Sequence, residues 1–510
     1  MMFRRLRSIE TTFNSINRRI QGTLNVLFPH EKDQTFAPTP YTADPILGLD
    51  SERLVEYERV RIQLTEQSKV LMRLGHVLQT CGASAYRIKV SMARLAAAMG
   101  AEEHHVLVTF GEISSTVYLR PFSRTEISEQ RIFGTNAAKL DRLRSFTQNL
   151  EPGTTPQEAN RILDRIDAYP PEYGSLENIL ASGIACACFC FLNRGGLAEC
   201  LIAGFAAASG QLLRRVMLHR QMNHFGVWLA AGFVGATVYV GLATALNHFL
   251  LLFMNSYEII ALPPWISGDT IGFRAGIVSA VLFLVPGFPL ITSMLDLLRM
   301  DLSAGISRMV YTVMLVISAG AAVWLVSLAF NWTVDPPNVP PLEGKWLYLM
   351  RTLCSFVASA GFAMLFNSTR PLCFYAGLIC AVFNPLRFLL VENGMDWQFA
   401  VGLEALAIGL AADLVSRLSN FTYSRVSLSV PAAVLMIPGV PLYAALTHLN
   451  QGDFTKATSS LIEVSVVILA IGIGLSAARM LTDRNWLENR DLVETHPALK
   501  DNDESDFTMR

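Results

Sequence analysis

Charge is scarce in this chain. Asp, Glu, Lys and Arg make up 16% of its 510 residues, where soluble domains carry about 25%. The formal net charge is −1, and no basic face accumulates, so nothing points to nucleic acid as a partner. There is no phosphate loop, no Walker motif and no nucleophile elbow, which removes nucleotide-driven work and the commonest hydrolase chemistry. The first nineteen residues hold Arg4, Arg5, Arg7, Arg18 and Arg19 but no continuous apolar run. They are not read as a secretory signal peptide, and residues 1–54 are expected to be a disordered or amphipathic basic arm. The eight cysteines form no disulfide or metal framework. Cys186, Cys188 and Cys190 alternate, and on a helix such neighbours point roughly 200° apart, so they read as small packing residues. No metal and no cofactor is expected.

What the chain does have is apolar length. Residues 176–482 are mostly apolar and rich in Gly, Ala, Leu and Phe. A spanning helix needs ~20 apolar residues. Ten segments qualify: 176–192, 197–213, 225–246, 271–292, 304–330, 346–366, 371–390, 397–415, 427–446 and 458–481. The first two are short enough to form a re-entrant hairpin instead. Basic residues alternate between the loops. With residues 55–175 in the cytoplasm, one side holds Arg214, Arg215, Arg220, Arg299, Arg370, Arg417, Arg425, Arg479, Arg484 and Arg490, and the other only Arg194, Lys345 and Lys456. That is a positive-inside pattern with both termini in the cytoplasm. The polar, acidic stretch 483–510 reads as a tail.

One motif occurs twice. Val285–Asp301 aligns without gaps on Ile437–Asp453, with six of seventeen positions identical. Each copy lies in the fourth apolar segment of a five-segment half, 176–330 and 346–482. Five is odd, so the second half enters the membrane from the opposite side, an inverted repeat of the kind used by secondary transporters. Pro286, Gly287 and Pro289, like Pro438, Gly439 and Pro441, must kink or break their helix. Backbone freed at that depth is tolerated only against protein or a water-filled cavity. These six are therefore candidate substrate-binding residues. Asp301 and Asp453 follow the motifs, as gate-lining or helix-capping residues. Glu404 is the deepest acid, a proton carrier or a structural partner of an Arg such as Arg387. Glu199, Arg274, Arg351, Arg387, Asp413 and Glu463 are expected near span ends, snorkelling to the interface.

Residues 55–175 read as a small α+β module. It has two helices over 55–99 with Ser84 as an N-cap, a hairpin of His105–Phe110 and Ser114–Leu119 turning at Gly111-Glu112, and short helices over Leu140–Leu150 and Pro156–Ile166. His104-His105 reads as an exposed pair.

These residues carry a family resemblance over roughly 55–482. The run Leu71–Gly100, with Gly-His-Val-Leu-Gln-Thr-Cys-Gly-Ala-Ser-Ala-Tyr-Arg, resembles the N-terminal signature of the threonine/serine exporter family, as does Tyr169-Pro-Pro-Glu-Tyr-Gly174. Val285-Pro-Gly287 with Asp301-Leu-Ser-Ala-Gly-Ile-Ser-Arg308 resembles its first membrane half. Leu365-Phe-Asn367 and Ile437-Pro-Gly439 resemble its second, and Asn367 joins the candidate substrate-binding residues on that basis. The resemblance implies a multi-pass protein of the cell membrane that exports threonine and serine on the proton gradient, with the two halves fused. Two-component relatives imply dicarboxylates such as succinate instead. Its partners would be an amino acid or dicarboxylate, protons and lipid, and a homo-oligomer is open to it. An enzyme is not expected, because the spans offer only scattered acids and one interior histidine, His248. A non-transporting scaffold or receptor is the third reading.

Overall fold

The computed structural model describes residues 51–131, 133–257, 276–332, 342–419, 423–450 and 452–487. The arm before residue 51, the tail beyond 487, Arg490 and residues 271–275 with Arg274 lie outside them. The chain divides into two units, 1–62 and 63–510. Of the first, residues 51–62 are described, and they are helical.

The module begins with α1 (Ser51–Thr80) and α2 (Ala85–Ala98). Val70, Leu71, Leu74 and Leu78 recur at helical spacing and are fully buried, as an amphipathic face requires. Gly82 makes the turn between the helices at φ +89°, and Ser84 Oγ accepts from the Arg87 N–H as the expected cap. β1 (Glu103–Val108), β2 (Glu112–Leu119) and β3 (Phe122–Glu129) form an antiparallel meander. The third strand was not expected: Phe122–Glu129 alternates only between half-buried and exposed residues, so it lacks an apolar period. α3 (Ala137–Gln148) and α4 (Pro156–Asp167) follow, capped by Asn136 and Thr155.

The histidine pair is not exposed as a pair. His105 faces outward, but His104 is fully buried, because neighbouring strand residues point to opposite faces. Its Nε2 lies 2.9 Å from Ser115 Oγ. Burial, and then the neighbouring His105, hold its pKa down to about 4. This value lies below that of an unfolded histidine, about 6.5. The stabilisation is therefore complete above the unfolded value and is lost as pH falls through it, by on the order of 3 kcal/mol once the folded value is passed. Protection factors of amides along β1 and β2, with the intrinsic pH dependence of exchange divided out, are expected to fall on acidification from about pH 7 to about pH 4.5. His104→Gln should flatten that dependence; an unchanged profile in the variant would remove His104 as its cause.

The apolar part is an array of long helices: α5 (Ser175–Leu192), α6 (Leu197–His219), α7 (His224–Tyr257), α10 (Leu302–Phe330), α11 (Gly344–Leu365), α12 (Arg370–Glu392), α13 (Trp397–Leu418) and α16 (Phe454–Thr482). These eight are long and apolar enough to cross a membrane. Two bent pairs raise the number to ten: Gly276–Leu284, whose α-helical part is α8 (Gly276–Val281), with α9 (Gly287–Leu298), and Arg425–Met436, whose α-helical part is α14 (Arg425–Ala433), with α15 (Gly439–Asn450). α17 (Arg484–Leu487) follows α16. Large apolar side chains such as Ile306, Val310, Val313 and Ile317 on α10 face outward. On a protein in water that would be an aggregation surface; in a bilayer it is the lipid face.

The intramembrane charges do not all snorkel. Glu199, Arg351, Arg387 and Asp413 are buried. Glu199 accepts from the Gly196 N–H at the start of its own helix (3.1 Å). Arg351 pairs with Glu392 (2.7 Å), Arg387 with Glu404 (2.6 Å) and Asp413 with Arg425 (2.7 Å). The reason is pairing: a buried charge is tolerated when an opposite charge and hydrogen bonds compensate it.

Candidate functional site

Both motifs break their helix in the same way. α8 tightens into a 3-10 turn over Leu282–Leu284, then the chain extends at Val285 and restarts as α9 at Gly287, bent by 68°. α14 tightens over Val434–Met436, extends at Ile437 and restarts at Gly439, bent by 49°. The Gly287 N–H donates to the Val285 carbonyl and the Gly439 N–H to the Ile437 carbonyl, both at 2.8 Å. Pro289 and Pro441 have no N–H to offer the carbonyl one turn back. The freed carbonyls of the first break find side chains: Trp228 Nε1 donates to the Leu284 carbonyl (2.6 Å) and Arg214 Nη1 to that of Phe283 (3.4 Å).

The two breaks meet each other. A Cβ on Gly287 would lie 2.5 Å from Val434 Cγ2, and one on Gly439 would lie 3.1 Å from Leu282 Cδ1. Gly439 follows Gly287 by the same interval that separates Leu282 from Val434, so each glycine receives the other half's matching side chain. Here the missing side chain serves close approach rather than backbone freedom.

Beside the first break lies a cavity of about 260 Å³. Pro286 and Pro289 line it, with Asn178 of α5, Gln211, Arg214 and Arg215 of α6, His224 and Trp228 of α7, and Arg308 and Tyr311 of α10. Gln79, Phe110 and Phe133 of the module close one side. No Asp or Glu is among the lining residues. Arg214 Nη1 also donates to Gln211 Oε1 (3.3 Å), and its guanidinium lies over the Trp228 ring at 4.3 Å. His224 Nδ1 and the Tyr311 hydroxyl are 2.6 Å apart.

The module is tied to the membrane helices through buried polar groups. Asp296 on α9 pairs with Arg308 on α10 at 3.3 Å, and both are almost wholly buried. Asp296 Oδ1 accepts from the Ala85 N–H (3.1 Å), and Arg308 Nη2 donates to the Ala83 carbonyl (2.8 Å). Together they hold the two residues flanking the Ser84 cap. On the second half, Asp141 Oδ1 accepts from the Ser424 N–H (3.1 Å) and from Ser427 Oγ (3.0 Å). Burial raises the Asp141 pKa to about 6.

Of the residues predicted from sequence, Pro286 and Pro289 line the cavity, and Gly287 forms the contact between the breaks. Pro438, Gly439 and Pro441 belong to the second break and are not among the lining residues. Asn367 stands at a left-handed turn (φ +54°), where Asn is tolerated. It accepts from the Glu172 N–H and donates to Asn136 Oδ1, both at 2.9 Å, so it joins a membrane turn to the module. Asp301 occupies the N-cap position of α10, but its side chain makes no cap bond and pairs with Lys89 instead (2.5 Å). Asp453 does cap α16, accepting from the Lys456 N–H at 3.0 Å. Glu404 pairs with Arg387 at 2.6 Å. Asp296, Arg214 and His224 were not singled out as site residues. Asp296 had a signal, an acid inside an apolar run; Arg214 was counted only as a loop charge.

Comparison with known proteins bears on what this arrangement belongs to. Residues 69–330 match the family described as "Putative threonine/serine exporter", and residues 351–481 match the one described as "Threonine/Serine exporter, ThrE". The threonine/serine exporter of Corynebacterium glutamicum is 22% identical over 443 residues, 82% of this chain and 85% of that protein. The "Probable succinate transporter subunit YjjP" of Klebsiella aerogenes is 30% identical over 130 residues, 26% of this chain, and its Escherichia coli counterpart 29% over 129 residues, 25% of this chain. This chain spans 42% of the length of each of those two subunits. No solved structure matches. Two family matches that together run through both sets of helices make this multi-pass membrane chain a member of the threonine/serine exporter family.

Proposed function

We propose that the chain is a secondary exporter of small polar metabolites, threonine and serine first, driven by the proton gradient across the cell membrane. The observation that carries this is the cavity at the first helix break, largely apolar but with arginine and amide side chains in its wall, enclosed partly by the module. Its volume is just under the ~300–1,000 Å³ of sites for drug-sized ligands, which suits a metabolite of fewer than ten heavy atoms. The architecture proposed with it is the one expected from sequence: an arm over 1–54, a cytoplasmic module over 55–175, membrane halves over 176–330 and 346–482 in inverted orientation, and an acidic tail over 483–510, with both termini inside. The matched breaks and the basic inner loops support that arrangement. Asp301, Asp453 and Glu404 remain its candidate gating or coupling acids, and Asn367 its link between module and membrane. Among the lining residues His224 supplies an imidazole, beside the Tyr311 hydroxyl.

A second reading, export of a dicarboxylate such as succinate, is favoured by one observation: the lining residues include three arginines and no acid. The test is efflux from cells preloaded with threonine, serine or succinate, with and without an uncoupler. Uncoupler-sensitive loss of at least one is expected. Retention of all three would sink the exporter reading. In the same assay Gly287→Leu should reduce efflux at least tenfold while the protein still inserts, because its side chain collides with Val434. Gly439→Leu should be milder, its gap being wider. Normal efflux in both would return the breaks to structural kinks.

A further inference from the structure

Arg214 and Arg387 hold the same place in the two halves. Their helices, α6 and α12, are both 23 residues long, and a single register relates them. Cys200 Sγ contacts the Gly195 carbonyl and Cys373 Sγ the Ser368 carbonyl, both at 3.7 Å. A Cβ on Gly204 would lie 3.0 Å from the Gly183 carbonyl, and one on Gly377 would lie 2.9 Å from the Phe356 carbonyl. The register continues into the following turn, where Gln221 and Gly394 are both left-handed and the N–H groups of Met222 and Met395 donate to Met217 and Leu390. In this register Gln211 matches Asn384, and each donates across to the preceding helix at 2.7 Å, Gln211 to Asn178 and Asn384 to Ser355. Each arginine donates to that amide's oxygen, Arg214 at 3.3 Å and Arg387 at 2.5 Å. Each guanidinium also lies over a tryptophan of the next helix, at 4.3 Å for Trp228 and 4.2 Å for Trp397, although the two tryptophans stand one helical turn apart in this register.

The halves differ in one group. Arg387 is neutralised by Glu404 at 2.6 Å. The residue on α7 that matches Glu404 is Ala231. Among the described residues no carboxylate lies within ion-pairing distance of Arg214, and its Nε is buried without a partner. Its guanidinium borders the cavity. The surrounding amide, tryptophan and helix contacts are those that hold an arginine for a carboxylate in the other half.

We infer that Arg214 is the anchor for a carboxylate of the transported metabolite, which takes the place that the Glu404 carboxylate fills in the second half. The inference rests on the exporter reading and narrows its substrate. Arg308, which also lines the cavity, is already paired with Asp296, so it adds little net charge. Arg215 donates to Ser175 Oγ (3.2 Å) and stands beside the cavity as a second cation. An ammonium group would meet no acid in the lining. The anchor therefore reverses the substrate order proposed above on the family matches and puts a small dicarboxylate ahead of a zwitterionic amino acid.

The test uses the full chain in proteoliposomes with succinate, threonine and serine, together with melting temperatures in detergent with and without each solute. Arg214→Gln should raise the KM for succinate on the order of 100-fold, the scale of a buried charge-assisted pair, and abolish thermal stabilisation by succinate. Arg214→Lys should recover part of both. Ala231→Glu supplies the missing carboxylate from within, so it should abolish succinate binding without lowering the melting temperature of the unliganded protein. That variant decides the matter if Arg214→Gln fails to insert. Wild-type KM values in Arg214→Gln, or unimpaired succinate binding in Ala231→Glu, would overturn the anchor and leave the exporter reading standing. Threonine or serine transported at far lower KM than succinate would overturn the dicarboxylate class. A wild-type protein that neither moves nor is stabilised by any of the three would sink the exporter reading and the anchor together.

Discussion

Glu404→Gln is expected to cost about 3–5 kcal/mol of stability, one of the two largest effects of a single substitution anticipated in this protein. Arg387 and Glu404 are 3% and 1% exposed, and among the described residues their Nε–Oε2 contact of 2.6 Å is the one ion pair that either makes. Removing the carboxylate leaves a guanidinium in a dry site, held only by Asn384 and by its stacking on Phe388 and Trp397. The penalty comes from the orphaned charge, not from the value of the pair. Replacing both partners, with Arg387→Met and Glu404→Leu together, should therefore recover most of the loss. Thermal melts of the purified protein in detergent would measure it. A loss under about 1 kcal/mol, or a double variant no better than the single, would refute the account. If Glu404→Gln inserts and transports with an unchanged pH profile, Glu404 is also removed as the proton carrier.

The second large effect is Asp296→Asn, again about 3–5 kcal/mol, with a different signature. The Asp296–Arg308 pair is bound into backbone groups at the start of α2, through the Ala85 N–H and the Ala83 carbonyl. Its loss should release the module locally as well as lower overall stability. Amide exchange over Ala85–Ala98 should quicken more than exchange in α12 or α13. An apolar pair at 296 and 308 should not rescue that exchange, because two backbone groups would still lack partners. Full rescue by such a pair would reduce the site to an ordinary ion pair.

The two sites show how far the sequence could be read. Among the described residues its long apolar runs located every helix long and apolar enough to cross a membrane, since hydrocarbon thickness demands length and little else. The Pro-Gly motifs located both breaks, because a missing N–H acts wherever the chain goes. In the module, Ser84 was legible as a cap, while strand Phe122–Glu129 was not, having no buried face to impose a period. Pairing was the least legible. Arg351, Arg387 and Asp413 sit near span ends, and position alone suggests snorkelling; only the fold brings Glu392, Glu404 and Arg425 to them. Asn367 illustrates the same limit, since its contacts are with Asn136 and Glu172, far away along the chain. More than a third of the cavity wall comes from α6, α7 and α10, whose inward residues carry no local signature.

The contact between the breaks also constrains how the halves can move. Each glycine is a notch, and each notch is filled by a branched side chain, Val434 in one and Leu282 in the other. Sliding one broken helix along its partner by a residue would lift both side chains from their notches at once, since the same interval separates the members of each pair. Interiors packed to crystal-like density do not yield gradually to such a displacement. The contact therefore behaves as a detent: it is seated or unseated as a pair, and relative motion of the halves proceeds in a step rather than a glide.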